Sequence, residues 1–281
     1  MREIPVSVLT EEIKKLFLKA NYEIGPDVEA AVCAACREEK SPVGKNVLCQ
    51  IAENYRIARE ERVAICQDTG MAVLFMEIGQ DVHFTGGDFE AAVNEGVRQA
   101  YAEGYLRKSV VSDPLYDRVN TKDNTPAVIH ARLVPGEQVH ILATAKGFGS
   151  ENMSAVKMLV AADGEEGVLQ FIVDTVKKAG PNPCPPVILG VGIGGTMEQA
   201  ALMAKKMTAR PLDQWNADPR YRALEEKALR QINQLGIGPA GIGGNTTALK
   251  VNIDFAPTHI AGMPVAINMC CHAARHGEMT L

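Results

Sequence analysis

Ile65-Cys66-Gln67-Asp68-Thr69-Gly70 is where the chain changes character. Apolar Val63-Ala64-Ile65 lead into it, and Gly70 supplies the backbone freedom for a turn, so a thiol, an amide, a carboxylate and a hydroxyl stand side by side on a loop. A soft metal ligand therefore lies next to an acid/base candidate. Ahead of this loop the sequence reads as helices. Thr10 fits as the cap of a helix carrying Ile13, Leu16 and Ala20, and Asp27 begins a second through Val28, Ala31, Val32 and Ala35. Ser41-Pro42 supplies a cap and a first-turn proline for a third helix along Leu48, Ile51, Ala52 and Tyr55 towards Glu60.

Behind the loop, strands and helices alternate. Strands are predicted near residues 73–78, 128–133, 139–144, 187–190, 249–253 and 265–268. Asp88 can cap a helix through Ala91, Val93, Val97 and Tyr101, and further helices are predicted over 166–178, 196–207 and 221–235. Residues 106–126 are rich in Asx and Thr side chains, which favour turns, and a loop of that length is either functional or floppy. The expected fold class is α+β: a mainly helical part over 1–75 and a mixed α/β part over 76–281, forming one catalytic unit with the cysteine loops converging between them.

Bulk properties narrow the function. At 281 residues the chain can bury a large core, and a net charge of -5 without a basic run argues against a nucleic-acid partner. An aromatic content of 5% with a single Trp215 removes any base-stacking platform. No apolar stretch approaches the length of a membrane span, and Met1-Arg2-Glu3-Ile4-Pro5 lacks the core of an export signal, so the expected location is the cytoplasm.

Seven cysteines, an odd number without an export signal, suit metal or redox chemistry better than a disulfide framework. Cys33 and Cys36 fall within a helix among alanines and read as small buried residues, and Cys49 reads as core. Cys66, Cys184 in Pro183-Cys184-Pro185-Pro186, and Cys271 in Met269-Cys270-Cys271-His272 stand instead in loops. Three such thiolates could converge on one iron–sulfur cluster with Asp68 beside it. Three cysteines on a four-iron cluster leave one iron open, a Lewis acid able to take a hydroxyl and a carboxylate. Two alternatives stand beside this reading: the loop cysteines are incidental, or Cys270 replaces Cys271.

Gly190-Val191-Gly192-Ile193-Gly194-Gly195 satisfies the dinucleotide-binding pattern, but residues 209–216 hold no second apolar strand. A nucleotide-binding subunit or a non-catalytic iron–sulfur subunit is the reading of another class.

Six segments together, Ile65-Cys66-Gln67-Asp68-Thr69-Gly70, Asp113-Pro114-Leu115, Asn120-Thr121-Lys122-Asp123-Asn124-Thr125-Pro126-Ala127, Lys146-Gly147-Phe148-Gly149-Ser150-Glu151-Asn152, Asn182-Pro183-Cys184-Pro185-Pro186 and Gly192-Ile193-Gly194-Gly195-Thr196, resemble the alpha subunit of class I fumarate hydratase. The related L(+)-tartrate dehydratase alpha subunit shares the pattern. The resemblance covers nearly the whole chain. It implies an oxygen-sensitive [4Fe-4S] hydro-lyase that reversibly hydrates fumarate to L-malate, a tricarboxylic acid cycle reaction, with L(+)-tartrate dehydration as the alternative.

Carried over by position, the resemblance makes Cys66, Cys184 and Cys271 the cluster ligands and Asp68 the acid/base candidate. Cys271 is favoured over Cys270 because it directly precedes the His-Ala-Ala-Arg run. Gln67, Arg107, Gly147, Gly149 and His259 would face the substrate, with Arg118, Arg275 and His276 in support. A dianionic substrate does need guanidinium partners, and dehydration needs a base at one carbon opposite a Lewis acid at the other. Single-chain relatives carry a further domain with a Lys-Gly-Asn-x-Thr type motif that this sequence lacks. The expectation is a separate beta subunit completing the site, in a heterotetramer of two alpha and two beta chains.

Overall fold

A computed structural model describes residues 1–281 and shows an α+β fold of ten strands and eight α-helices. It divides into two units that interleave along the chain: Met1–Gly25, Tyr55–Phe148 and Arg275–Leu281 form the first, Pro26–Asn54 and Gly149–Ala274 the second.

The first unit is built on a four-stranded sheet. Its strands are β2 (Met71–Gly79), β4 (Val128–Val134), β5 (Val139–Lys146) and β10 (His276–Thr280), in the order β10-β5-β2-β4. β2 runs parallel to β4 and antiparallel to β5, which is antiparallel to β10. β1 (Arg2–Pro5) and β3 (Val82–Thr85) form a separate parallel pair. Helices α1 (Val6–Tyr22) and α4 (Phe89–Glu103) lie together and close the core, in which Leu9, Ile13, Phe17, Leu74, Met76, Val93, Val97, Tyr101 and Ile141 are buried. The two helices approach closely at Gly96, where a Cβ would stand 2.6 Å from the Thr10 carbonyl oxygen. Helix α4 has the expected cap, Asp88 accepting from the Ala91 N–H at 2.8 Å. Helix α1 starts at Val6, so Thr10 lies inside it and its hydroxyl donates to the carbonyls of Val6 and Ala92. Tertiary packing against α4 thus supplies the hydroxyl with a partner that local sequence could not reveal.

The second unit carries the sheet β6-β9-β7-β8, made of β6 (Ala155–Leu159), β7 (Val187–Gly194), β8 (Ala248–Ala256) and β9 (Met263–Cys270). β7 is parallel to β8 and antiparallel to β9. Helices α6 (Gly164–Ala179) and α8 (Pro219–Gln234) cover one face through Leu169, Ile172, Ala228 and Ile232 against Leu189, Val191, Val251 and Ile267. Helix α7 (Met197–Met207) covers the other through Ala200 and Ala204 on Ala266. The glycine pattern of β7 serves this packing: a Cβ on Gly190 would lie 1.9 Å from the Ala204 carbonyl oxygen, and one on Gly192 2.1 Å from that of Ala200. No strand lies between α7 and α8; the chain turns through residues 208–218.

The unit also holds α2 (Pro26–Glu38) and most of α3 (Pro42–Glu61). Here the cysteine expectations need correction. Cys49 is exposed rather than core, and Cys36 is only partly buried, because α2 and α3 turn these positions towards each other: their Cα atoms are 5.9 Å apart and the sulfurs are joined in a disulfide.

Candidate functional site

In the first unit the loop carrying Cys66 lies between α3 and β2, with Gln67 exposed and Cys66 and Asp68 partly buried. The Cys66 thiol faces its neighbour, donating to Gln67 Oε1 at 3.4 Å. The Asp68 carboxylate is oriented on both oxygens: Oδ1 accepts from the Gly70 N–H at 3.0 Å and Oδ2 from the Phe148 N–H at 2.9 Å. Gly147 packs closely here: a Cβ on it would lie 3.0 Å from an Arg275 side-chain nitrogen and 3.1 Å from Asp68 Oδ2, so either side chain would have to shift by a few tenths of an ångström. Gly70 is the position that requires glycine, with φ +73° and its would-be Cβ 2.7 Å from the backbone of Ala145.

The loop is held from beneath by groups that donate to its backbone. Buried Arg275 donates to the carbonyls of Asp68 and Ala145, the support role expected of it. Tyr101, fully buried on α4, donates its hydroxyl to the carbonyls of Thr69 at 2.6 Å and Gly70 at 3.1 Å. Burial pushes its phenol far above the ordinary range, so it stays a donor at every working pH. Asn124 Nδ2 donates to the Gly70 carbonyl at 3.1 Å, while its Oδ1 accepts from Ser109 and Val110. Arg107 is joined to the same assembly through its own carbonyl, which accepts from Thr69 Oγ1 at 2.9 Å; its side chain is exposed. Tyr101 and Asn124 escaped the sequence reading as site residues. In the sequence Tyr101 is one more apolar position of α4 and Asn124 one more turn residue, although its place between Asp123 and Thr125-Pro126 is a signal.

In the second unit the strand register decides which residues meet. Ile188 of β7 pairs with Cys270 of β9, so Cys184, three residues before β7, and Cys271, one residue after β9, emerge at the same end of that strand pair. Cys270 is buried within the sheet, whereas Cys271 is past the strand end and partly exposed. Cys184 is exposed, with φ +54°. Gly149 lies on the short helix α5 (Phe148–Glu151), exposed, with Asn182 O of the Cys184 approach 3.9 Å from its would-be Cβ. His259 is not brought to this end. It lies exposed between β8 and β9, beside the far end of β7, where Thr258 Oγ1 donates to the Gly195 carbonyl. The eight residues of β7 separate it from the two cysteines by about 25 Å.

No three His, Cys, Asp or Glu side chains gather at the spacing of ligands to one metal ion. A cluster asks for something else, one thiolate on each of several irons, and thiols carried on loops are suitable donors for it.

The sequence matches the family described as Fumarate hydratase (Fumerase) over residues 10–280. A protein of Methanocaldococcus jannaschii provisionally named L(+)-tartrate dehydratase subunit alpha is 38% identical over 271 residues, covering 95% of each chain. The L(+)-tartrate dehydratase subunit alpha of Escherichia coli strain K12 is 29% identical over 278 residues, covering 98% of this chain and 91% of the relative. With a match of that extent, and with the Cys66-Gln67-Asp68 loop seated as described, this chain is a hydro-lyase of the fumarate hydratase family.

Proposed function

We propose that this chain is the alpha subunit of an iron–sulfur hydro-lyase that adds water to fumarate to give L-malate and runs the reverse dehydration. Cys66, Cys184 and Cys271 would hold a [4Fe-4S] cluster. The observation that carries the reading is the register of β7 on β9, which brings Cys184 and Cys271 to one strand end and leaves Cys270 buried in the sheet. When bound, the cluster would supply an open iron as a Lewis acid for the substrate hydroxyl.

The chain's own residues supply the remaining chemistry. Asp68 is the proton carrier: it takes a proton from carbon in dehydration and returns it in hydration, with Oδ2 held by the Phe148 N–H. Arg107, exposed on the segment anchored to Thr69, offers a bidentate partner to one substrate carboxylate. Gln67 and the bare backbone at Gly147 and Gly149 line the approach of the substrate. His259 lies too far along the sheet to join the cysteine end of its own unit. A beta subunit would complete the site, in a cytoplasmic assembly of two alpha and two beta chains. The names of the two relatives favour a second reading, dehydration of L(+)-tartrate, whose substrate differs by one hydroxyl.

Anaerobic reconstitution with iron and sulfide tests the core of this. The expected result is about four irons per chain, lost in Cys66→Ser, Cys184→Ser and Cys271→Ser and kept in Cys270→Ser and His259→Asn. Indifference of the iron content to the first three substitutions would sink the proposal. Turnover of fumarate against L(+)-tartrate by the chain with its beta partner then decides the substrate.

A further inference from the structure

Segment 149–154, which leads from the Lys146-Gly147-Phe148 turn into β6, is fastened to the end of β9 at two points. Ser154 Oγ accepts from the Met269 N–H at 3.1 Å. Three residues earlier, Glu151 Oε2 accepts from Asn268 Nδ2 at 3.0 Å, and its other oxygen, Oε1, accepts from Lys205 Nζ of α7. Asn268 is 5% exposed and its Oδ1 has no hydrogen-bond partner, so the Nδ2 bond to Glu151 is what orients this side chain. Asn268 lies opposite Gly190 on β7, on the α7 face of the sheet and three residues before Cys271. A buried amide with one oxygen already unpaired tolerates the loss of its remaining charged partner poorly.

We infer that Glu151 is a positioning residue: clamped by Lys205, its carboxylate fixes the last residues of β9 and thereby the place at which Cys271 leaves the sheet. The consequence for catalysis rests on the reading of Cys271 as a cluster ligand. The fastening itself does not.

The test uses the full chain free of metal, under anaerobic conditions, and reads the iodoacetamide alkylation rate of each cysteine by peptide mass spectrometry. Glu151→Ala should raise the rate at Cys271 about tenfold, the opening expected from losing one charge-assisted hydrogen bond. Cys184 and Cys33 should keep their wild-type rates. Glu151→Gln, which still accepts from Asn268, should restore most of the protection. An unchanged Cys271 rate in Glu151→Ala would overturn the inference, and so would rates at Cys184 and Cys33 rising in step, since that is general loosening. If Glu151→Ala does not fold, Asn268→Ala removes the same bond from the strand side and is judged by the same outcomes. Iron content after reconstitution is scored separately. A chain that takes up no cluster yet shows the selective change at Cys271 refutes the ligand assignment and leaves the fastening standing.

Discussion

Tyr101→Phe isolates one hydroxyl beneath the candidate catalytic loop. The ring is fully buried and phenylalanine fills the same space, so the change opens no cavity and removes the hydroxyl alone, with its contact to Asn21 as well as its donated bonds. That donor serves two carbonyls, Thr69 at 2.6 Å and Gly70 at 3.1 Å. Gly70 keeps Asn124 Nδ2 at 3.1 Å, whereas Thr69 O loses the tyrosine hydroxyl in a buried setting. Leaving one buried acceptor unmatched costs about 2 kcal/mol. With a urea dependence of about 2 kcal/mol per molar, the unfolding midpoint of the unit that contains Tyr101 should fall by about 1 M. Far-ultraviolet circular dichroism of the metal-free chain follows it, and the fluorescence of Trp215, which belongs to the second unit, supplies an internal reference. A midpoint shift below about 0.2 M would mean that water or another donor replaces the hydroxyl, and the account of how this loop is held would be wrong.

Three further outcomes follow from the geometry. Glu39 is buried, and although burial raises its carboxyl, the N–H groups of Ser41, Asn245 and Thr246 outweigh that and hold it below 4.5. Its contribution is therefore present at neutral pH and lost as pH falls through the depressed value: Glu39→Gln should cost about 2 kcal/mol in denaturant unfolding at pH 7, and the gap to wild type should close under acid. Lys250, buried with Nζ 3.0 Å from the Trp215 ring centre, is brought down by burial to about 8, against the opposing pull of Glu225. Because the unfolded chain holds this proton up to 10.5, stability should rise by about 2 kcal/mol between pH 8 and 10.5, and Lys250→Met should abolish that rise in unfolding curves taken across the range. Gly190→Ala should destabilise the second unit by about 3 kcal/mol or prevent folding, since the added methyl meets the α7 backbone, which has no rotamer with which to yield; a melting temperature equal to wild type would contradict that packing.

Where local rules suffice, sequence and structure agree. Ser41-Pro42 opens α3 at Pro42, Asp88 caps α4, and the apolar runs near 128–133 and 139–144 become β4 and β5. Four short strands, β1, β3, β6 and β10, were not foreseen. Each has only four or five residues, too few for period-two alternation to rise above its surroundings, and each exists because a partner strand pairs with it. The cysteines divide in the same way. A loop setting full of proline and glycine marks Cys66 and Cys184 by composition alone, whereas the facing of Cys36 and Cys49 depends on how two helices are rotated, which one helical pattern at a time does not encode.

Caps, periodicity and side-chain type are properties of neighbouring residues, and they make the α+β class, the order of the major elements and the chemistry on offer at Cys66-Gln67-Asp68 legible along the chain. Tertiary structure alone decided that Tyr101, Asn124 and Arg275 hold that loop, that Cys184 and Cys271 leave the sheet at one end, and that His259 stands at the other. Those facts rest on strand register and helix packing between residues dozens to hundreds of positions apart. A shift of one residue in register sends a side chain to the opposite face, and nothing local to Cys271 or His259 specifies which register is adopted.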